Sequence, residues 1–206
     1  MTTRLASRAL DAGDHACAIY SSGAQLVRLA SRFLAHGLER YERCWYVGTR
    51  SEGTAIRAAL RRRGIDVDSQ IRHGALSILL SGDVYVIGGE FQPQRTIRAF
   101  GDAVRQSVLH GFRGFRVAAD MSWTMMLRDI DEQLIAYEAE VSSLFTTPAT
   151  ALCLYSRRAM PLHVLRGALA THPVTTATRG QAMTNPFYDR DVMKLVPADD
   201  NHVRAN

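Results

Sequence analysis

Lysine is nearly missing from this chain. Of its 25 basic side chains only Lys194 is a lysine, and the rest are arginine. A phosphate loop of the G-x-x-x-x-G-K-[ST] kind needs a lysine beside its turn to reach the β- and γ-phosphates. Lys194 lies far from the one turn that resembles such a loop, so that chemistry is excluded. Cysteine is scarce as well. Cys17, Cys44 and Cys153 form no C-x-x-C pair and cannot build a disulfide framework. No apolar run approaches the roughly 18 residues that cross a bilayer. The opening MTTRLASRALDAGDH carries Arg4 and Arg8 but no apolar stretch of a secretory signal. These absences predict a cytoplasmic protein with no membrane partner.

What is present suits one globular domain. The 206 residues are 47% hydrophobic and 22% charged, enough for a full core. The expected division is a flexible N-terminus over 1–12, one domain over 13–197 and a disordered tail over 198–206. Net charge is +5, but the arginines are scattered. The densest group, Arg61-Arg62-Arg63, shares a helix with Ala58, Ala59 and Leu60 and reads as a solvated face. No direct contact with nucleic acid is expected.

Hydrophobic periodicity places strands at Ala16–Tyr20, Cys44–Gly48, within GALSILLSGDVYV, at Phe115–Ala119 and in TALCLYS. Between them it predicts helices over about Ala24–Arg40, Ser51–Arg63, Pro93–His110 and Asp129–Phe145, and in PLHVLRGALATHP. Apolar strands alternating with helices predict a three-layer αβα fold with a mostly parallel sheet. Ligands of such sheets sit beyond the carboxyl ends of the strands. Tyr20, Ser21 and Ser22 lie at one such end, Asp120, Ser122 and Trp123 at another, and Tyr155 and Arg157 at a third.

Asp120 ends an apolar strand, where an ATPase holds its magnesium carboxylate. With no phosphate-loop lysine or following Ser/Thr, hydrolysis is not expected. Asp120 either caps the loop through Ser122 and Trp123 or, beside that aromatic, contacts a polar or cationic small molecule. Glu138, next to Tyr137 in mid-helix, pairs with an arginine such as Arg116 or Arg158, or reaches the strand ends as a second acid. The candidate ligand set is therefore Tyr20, Ser21, Ser22, Asp120, Ser122, Trp123, Glu138, Tyr155 and Arg157.

His15 and Cys17, two apart, share one strand face. Joined by Cys44 and Cys153 they would make a soft-metal or redox cluster, although core packing accounts for each thiol singly. His172, before Pro173, reads as a helix-end cap. No nucleophile elbow accompanies a Ser-His-Asp or Cys-His arrangement, so no catalytic residue is assigned.

Several segments together carry a resemblance: GDHACAIY at 13–20, FLAHGLERYERCWYV at 33–47, GGEFQPQ at 88–94, GFRGFRVAADMSW at 111–123, YEAEVSSLF at 137–145, TALCLYSRR at 150–158 and HP at 172–173. In order and spacing they resemble the MEDS family, the methanogen/methylotroph DcmR sensory domain, itself similar to RecA/KaiC-like ATPases. The resemblance implies a RecA/KaiC-like fold whose P-loop has been lost, serving as a signal-input module beside DNA-binding or histidine-kinase-type outputs. Two positions depart from the family: Asp120 where a glutamate usually precedes Met-Ser-Trp, and Phe91-Gln92-Pro93 where Phe-Asp-Pro is usual. Ligand identity is therefore not carried over, and no cofactor is assigned.

The expectation is a non-catalytic sensory domain. It would bind a small molecule at the carboxyl ends of the strands and signal through a separate regulatory protein or a homodimer. A KaiC-like nucleotide binder without efficient hydrolysis and a metal or thiol-redox sensor are the alternatives. Contact surfaces are expected at SGDVYVIGGEFQPQ, exposing Val84, Val86, Ile87 and Phe91, and at NPFYDRDVMKLV, which includes Phe187.

Overall fold

The computed structural model describes residues 8–146, 148–176 and 180–191. Strand β1 (His15–Tyr20) passes through Ser21 and Ser22 into α1 (Gly23–Glu39). Ser22 caps that helix, its Oγ accepting from the Gln25 amide at 3.3 Å. Strand β2 (Arg43–Gly48) leads to α2 (Arg50–Arg62). Thr49, rather than Ser51, is its cap, in a reciprocal capping box with Glu52. A short α3 (Val67–Arg72), capped by Asp66, precedes β3 (Leu76–Leu80).

The chain then forms α4 (Ser81–Val84) and a hairpin of β4 (Val86–Ile87) and β5 (Glu90–Phe91). Gly88 and Gly89, both at positive φ, make its two-residue turn. Helix α5 (Pro93–Leu109) has Pro93 in its first turn, as expected. Strand β6 (Phe115–Asp120) ends in a 3₁₀ segment, Met121–Met126. Helix α6 spans Asp131–Val141 and continues as a 3₁₀ turn over Ser142–Thr146, shorter than the helix expected over 129–145. The cause is local: Asp129 has a φ of +55°, which a right-handed helix cannot contain. Strand β7 (Ala149–Ser156), α7 (Leu162–Thr171), β8 (Val174–Thr176) and β9 (Ala182–Thr184) complete the described chain.

The strands form one sheet in the order β3-β2-β6-β7-β1-β8-β9, parallel except at β9. Alternation along the strands sends side chains to two cores. Cys17, Val117, Ala119, Ala151, Cys153 and Tyr155 face α5, α6 and α7. Ala16, Ala18, Cys44, Tyr46, Ala118, Leu152 and Leu154 face α1 and α2. The result is the expected three-layer αβα arrangement. Among the described residues no helix is long and apolar enough to cross a membrane.

The segment expected to expose apolar residues does otherwise. Phe91 is buried against Trp123 and Tyr137, with ring centroids 4.8 and 5.3 Å away. Val84, Val86 and Ile87 are partly buried, so the hairpin is a flap on the core. Phe187 is 67% exposed, as expected of its segment. Residues 192–196 of that segment, Lys194 included, and the expected tail over 198–206 lie outside the described residues. Residues 8–12 pack on the domain: Arg8 bridges to Ala182, and Leu10 is buried.

Candidate functional site

Two polar groups stand out, and the sheet separates them. On the α1 side, the Tyr20 hydroxyl donates to Asp120 Oδ1 at 2.8 Å. Ser122 donates from its Oγ to Oδ1 at 3.1 Å and from its amide to Oδ2 at 3.3 Å. Asp120 thus caps the turn that follows it, and burial lifts its carboxyl to about 6. Ser21 and Ser22 are exposed and committed to the α1 cap, with the Ser21 amide on Gln25 Oε1 at 2.9 Å. Arg157 meets Tyr20 only through its backbone amide, and its side chain is exposed.

On the opposite face, Glu138 of α6 is buried among His15 of β1, Cys153 and Tyr155 of β7, and His172 at the end of α7. The expected ion pair of Glu138 with Arg116 or Arg158 does not form. Arg116 points to the other face and bonds Glu42, while Arg158 is exposed. Glu138 Oε1 instead accepts from the Tyr155 hydroxyl at 2.6 Å. Its Oε2 has no hydrogen-bond partner, standing 3.4 Å from His15 Nε2 and 3.6 Å from His172 Nε2. Those separations exceed a hydrogen bond.

The imidazole tautomers follow from their other partners. The Ser142 hydroxyl spends its single hydrogen on the Glu138 carbonyl at 2.8 Å, so it accepts from His15 Nδ1, also at 2.8 Å. His172 Nδ1 lies 2.7 Å from the Ala168 carbonyl, which can only accept. This is the expected helix-end cap. Both Nε2 atoms therefore carry bare lone pairs directed toward Glu138. The Cys153 thiol, 3.6 Å from His15 Nε2, brings the one hydrogen in reach. Burial drives both histidines down to about 3, with the neighbouring imidazole adding to the effect at His172. Burial also pushes Glu138 up and Cys153 well above the ordinary thiol range.

The sequence-based metal set is revised by this geometry. His15 and Cys153 converge, but Cys44 belongs to the opposite core and bonds the Leu34 and Glu42 carbonyls. Cys17 pairs in register with Cys153, yet the convergent donors are completed by Glu138 and His172. The pattern of the sequence could not supply those two, because they come from helices whose packing face it does not state. The HP dipeptide was the available signal for His172.

An aromatic wall adjoins the cluster. Tyr85 stacks on Trp123 at 4.6 Å, and Tyr137 meets Tyr85 edge-on at 6.3 Å. A small cavity of about 20 Å³ lies between Tyr85 and Tyr137 of this wall and His15, Glu138 and Cys153. A second of the same volume lies between α6 and α7 beside Glu138 and Tyr155. Larger recesses occur elsewhere, including an open groove of about 690 Å³ between α1 and α2. That groove is lined largely by alanine and arginine.

The sequence profile of the MEDS domain, the methanogen/methylotroph DcmR sensory domain, matches residues 14–173. The chain belongs to the MEDS family. All the members of both polar groups lie within that match. Among the solved structures that are similar is a KaiC-like protein from the hyperthermophilic archaeon Pyrococcus horikoshii OT3. It shares 16% identity and a TM-score of 0.56, over 80% of this chain and 71% of that one. At that identity the likeness concerns the fold, which is RecA/KaiC-like. No curated protein matches the chain.

Proposed function

We propose that this MEDS domain is a non-catalytic sensor that takes a small molecule into the buried space between α6 and the sheet. It then passes its state to a separate signalling protein. The observation that carries this reading is the small cavity with Tyr85, Phe100 and Tyr137 among its walls and His15, Glu138 and Cys153 beside them. Mixed lining of that kind, mostly apolar with a few convergent polar groups, is what small-molecule sites have. The family's sensory character supports the same reading.

The cavity of about 20 Å³ holds no more than about one water, so a larger ligand must displace something. The covering pieces are the β4–β5 flap and the Met121–Met126 turn. That turn buries Trp123 inside and presents Met126, 71% exposed, outside. A ligand that shifts Trp123 therefore moves an apolar surface a partner can touch. Of the residues expected to bind ligand, Glu138 lines this cavity, Trp123 stacks on its Tyr85 wall and Tyr155 bonds Glu138, while Tyr20, Asp120 and Ser122 serve the turn on the far face.

Thermal unfolding across a panel of small mixed-polarity compounds tests the reading. A compound at a hundred times its Kd adds about 2.7 kcal/mol of stability and should quench or shift Trp123 emission. Ala119→Val, which adds methyls to the cavity wall without touching a polar group, should abolish both responses. A panel that gives no response, or one that Ala119→Val leaves intact, would overturn it.

A further inference from the structure

The structure assigns a transition-metal site to His15, Cys153, His172 and Glu138, with zinc(II) or a similar borderline divalent ion as its occupant. The inference deepens the reading just given, since the ion would form the polar wall of the same cavity. It rests first on donor count. Two imidazole nitrogens and one carboxylate oxygen converge in the core, and of these Glu138 Oε2 and His172 Nε2 have no hydrogen-bond partner. Two buried polar atoms left without a partner beside a second imidazole nitrogen and a thiol are costly, and a cation between them would satisfy all four. The four donor atoms lie within 4.8 Å of one another, and all four residues are buried.

Three of the six separations agree with an ion at the centre, and the widest, up to 4.8 Å, would close by about 1 Å on binding. Tetrahedral zinc with N and O ligands at about 2.0–2.1 Å and S at about 2.3 Å has edges of roughly 3.3 Å (N to O) and 3.6 Å (N to S). The separations here are 3.4 Å from His15 Nε2 to Glu138 Oε2, 3.6 Å from His172 Nε2 to Glu138 Oε2, and 3.6 Å from Cys153 Sγ to His15 Nε2. The thiol hydrogen-bonds His15 Nε2 at its separation, the two Glu138 pairs carry no hydrogen bond, and all three lengths suit donors that share a metal.

The supporting contacts have the form that metal sites use. Each histidine donates its Nδ1–H outward, to Ser142 Oγ and to the Ala168 carbonyl, which fixes Nε2 as the ligand atom. The Tyr155 hydroxyl holds the other carboxylate oxygen. Charge also balances. On binding, the Cys153 thiol gives up its proton to solvent, and thiolate plus carboxylate cancel the two positive charges of the ion. The occupied site is then neutral, as an apolar core requires. Four protein donors fill a tetrahedral ion, so the site holds metal rather than activating water.

The test uses the full chain, stripped with a chelator and titrated with cobalt(II). One equivalent should bind, giving the visible bands of tetrahedral cobalt and a near-ultraviolet thiolate-to-cobalt charge-transfer band, both removed by zinc(II). Cys153→Ser should lose the charge-transfer band, whereas Cys44→Ser, changed on the opposite face, should keep it. Tyr155→Phe should weaken binding about ten- to a hundredfold. X-ray absorption of the zinc-loaded wild type should show one sulfur among nitrogen and oxygen ligands, a result that depends on no variant folding. Absence of the cobalt bands, or bands that survive Cys153→Ser and vanish in Cys44→Ser, would overturn the site. A chain that binds no metal but still responds to a small molecule defeats this inference alone. One that binds metal but no small molecule defeats only the preceding reading.

Discussion

At the scale of single residues, the clearest energetic statement concerns Arg116. Its side chain is fully buried, its Nε bonds Glu42 Oε2 at 2.5 Å, and its guanidinium lies 4.5 Å from the centre of the Phe33 ring. Removing only the carboxylate leaves a buried charge without its counter-charge, held only by the Leu10 carbonyl and the Phe33 ring, at a cost of about 3–5 kcal/mol. Removing the arginine leaves Glu42, which keeps Arg40 at 3.3 Å as a partner. Glu42→Ala should therefore lower the urea midpoint well beyond Arg116→Met, and equal midpoints would show that packing rather than charge is at stake. Asp120 gives a second test, with a sign that can be worked out. Its carboxyl sits at about 6 in the fold against 3.8 in the free chain, so the folded state binds the proton more tightly. That contribution is complete below about pH 4 and is lost as pH rises through about 6, a change of order 3 kcal/mol. Asp120→Asn keeps an acceptor for Tyr20 and does not titrate. Subtracting its urea-derived stability from that of the wild type should give a curve that falls across this window and is flat above it. A flat curve throughout would mean that Asp120 is better solvated than its burial indicates.

At the scale of elements, α1 shows why a helix tolerates a glycine that costs about 1 kcal/mol against alanine. A methyl on Gly37 would stand 2.5 Å from Arg116 Cδ and 2.7 Å from Cys44 Sγ, and Arg116 is locked by Glu42. Gly101 in α5 is different, because its added methyl would meet Arg105 Nη1 at 3.5 Å and Leu144 Cδ2 at 3.7 Å, ordinary contacts. Gly37→Ala should lower the thermal midpoint and Gly101→Ala should raise it. If both rise, the approach of α1 to the sheet is looser than described. The elements themselves were legible because apolar residues recur at helical or strand spacing through Leu26, Leu29, Phe33 and Leu34, or through β6 and β7. What escaped was conformational rather than compositional. Nothing in the sequence marks Asp129 as left-handed, and the apolar residues of the 81–91 segment read as exposed because their cover, Trp123 and Tyr137, lies far along the chain.

At the scale of the whole molecule, the sheet decides which residues can act together. The sequence supplied Glu138, Tyr155, Asp120 and Trp123 as one ligand set at the strand ends, and His15 and Cys153 as part of a separate metal set with Cys17 and Cys44. Pairing order and face depend on long-range register, so the division of Tyr20 and Asp120 from Glu138 and Tyr155 could not be read from spacing. The same division bears on the RecA/KaiC-like ATPases that the frame resembles. In that frame a nucleotide needs free amides at the start of α1 and a carboxylate free to hold magnesium. Here only Ser21 and Ser22 connect β1 to α1, and the Ser21 and Gln25 amides are bonded within the cap. Both oxygens of Asp120 are engaged by Tyr20 and Ser122. Binding would have to break the cap and the Asp120 contacts together, without a lysine to repay the loss. Magnesium-ATP below its Kd adds under about 0.4 kcal/mol of stability. Millimolar magnesium-ATP should accordingly leave the thermal midpoint unchanged and release no phosphate. A raised midpoint, or hydrolysis that disappears in Asp120→Ala, would return the nucleotide to this fold.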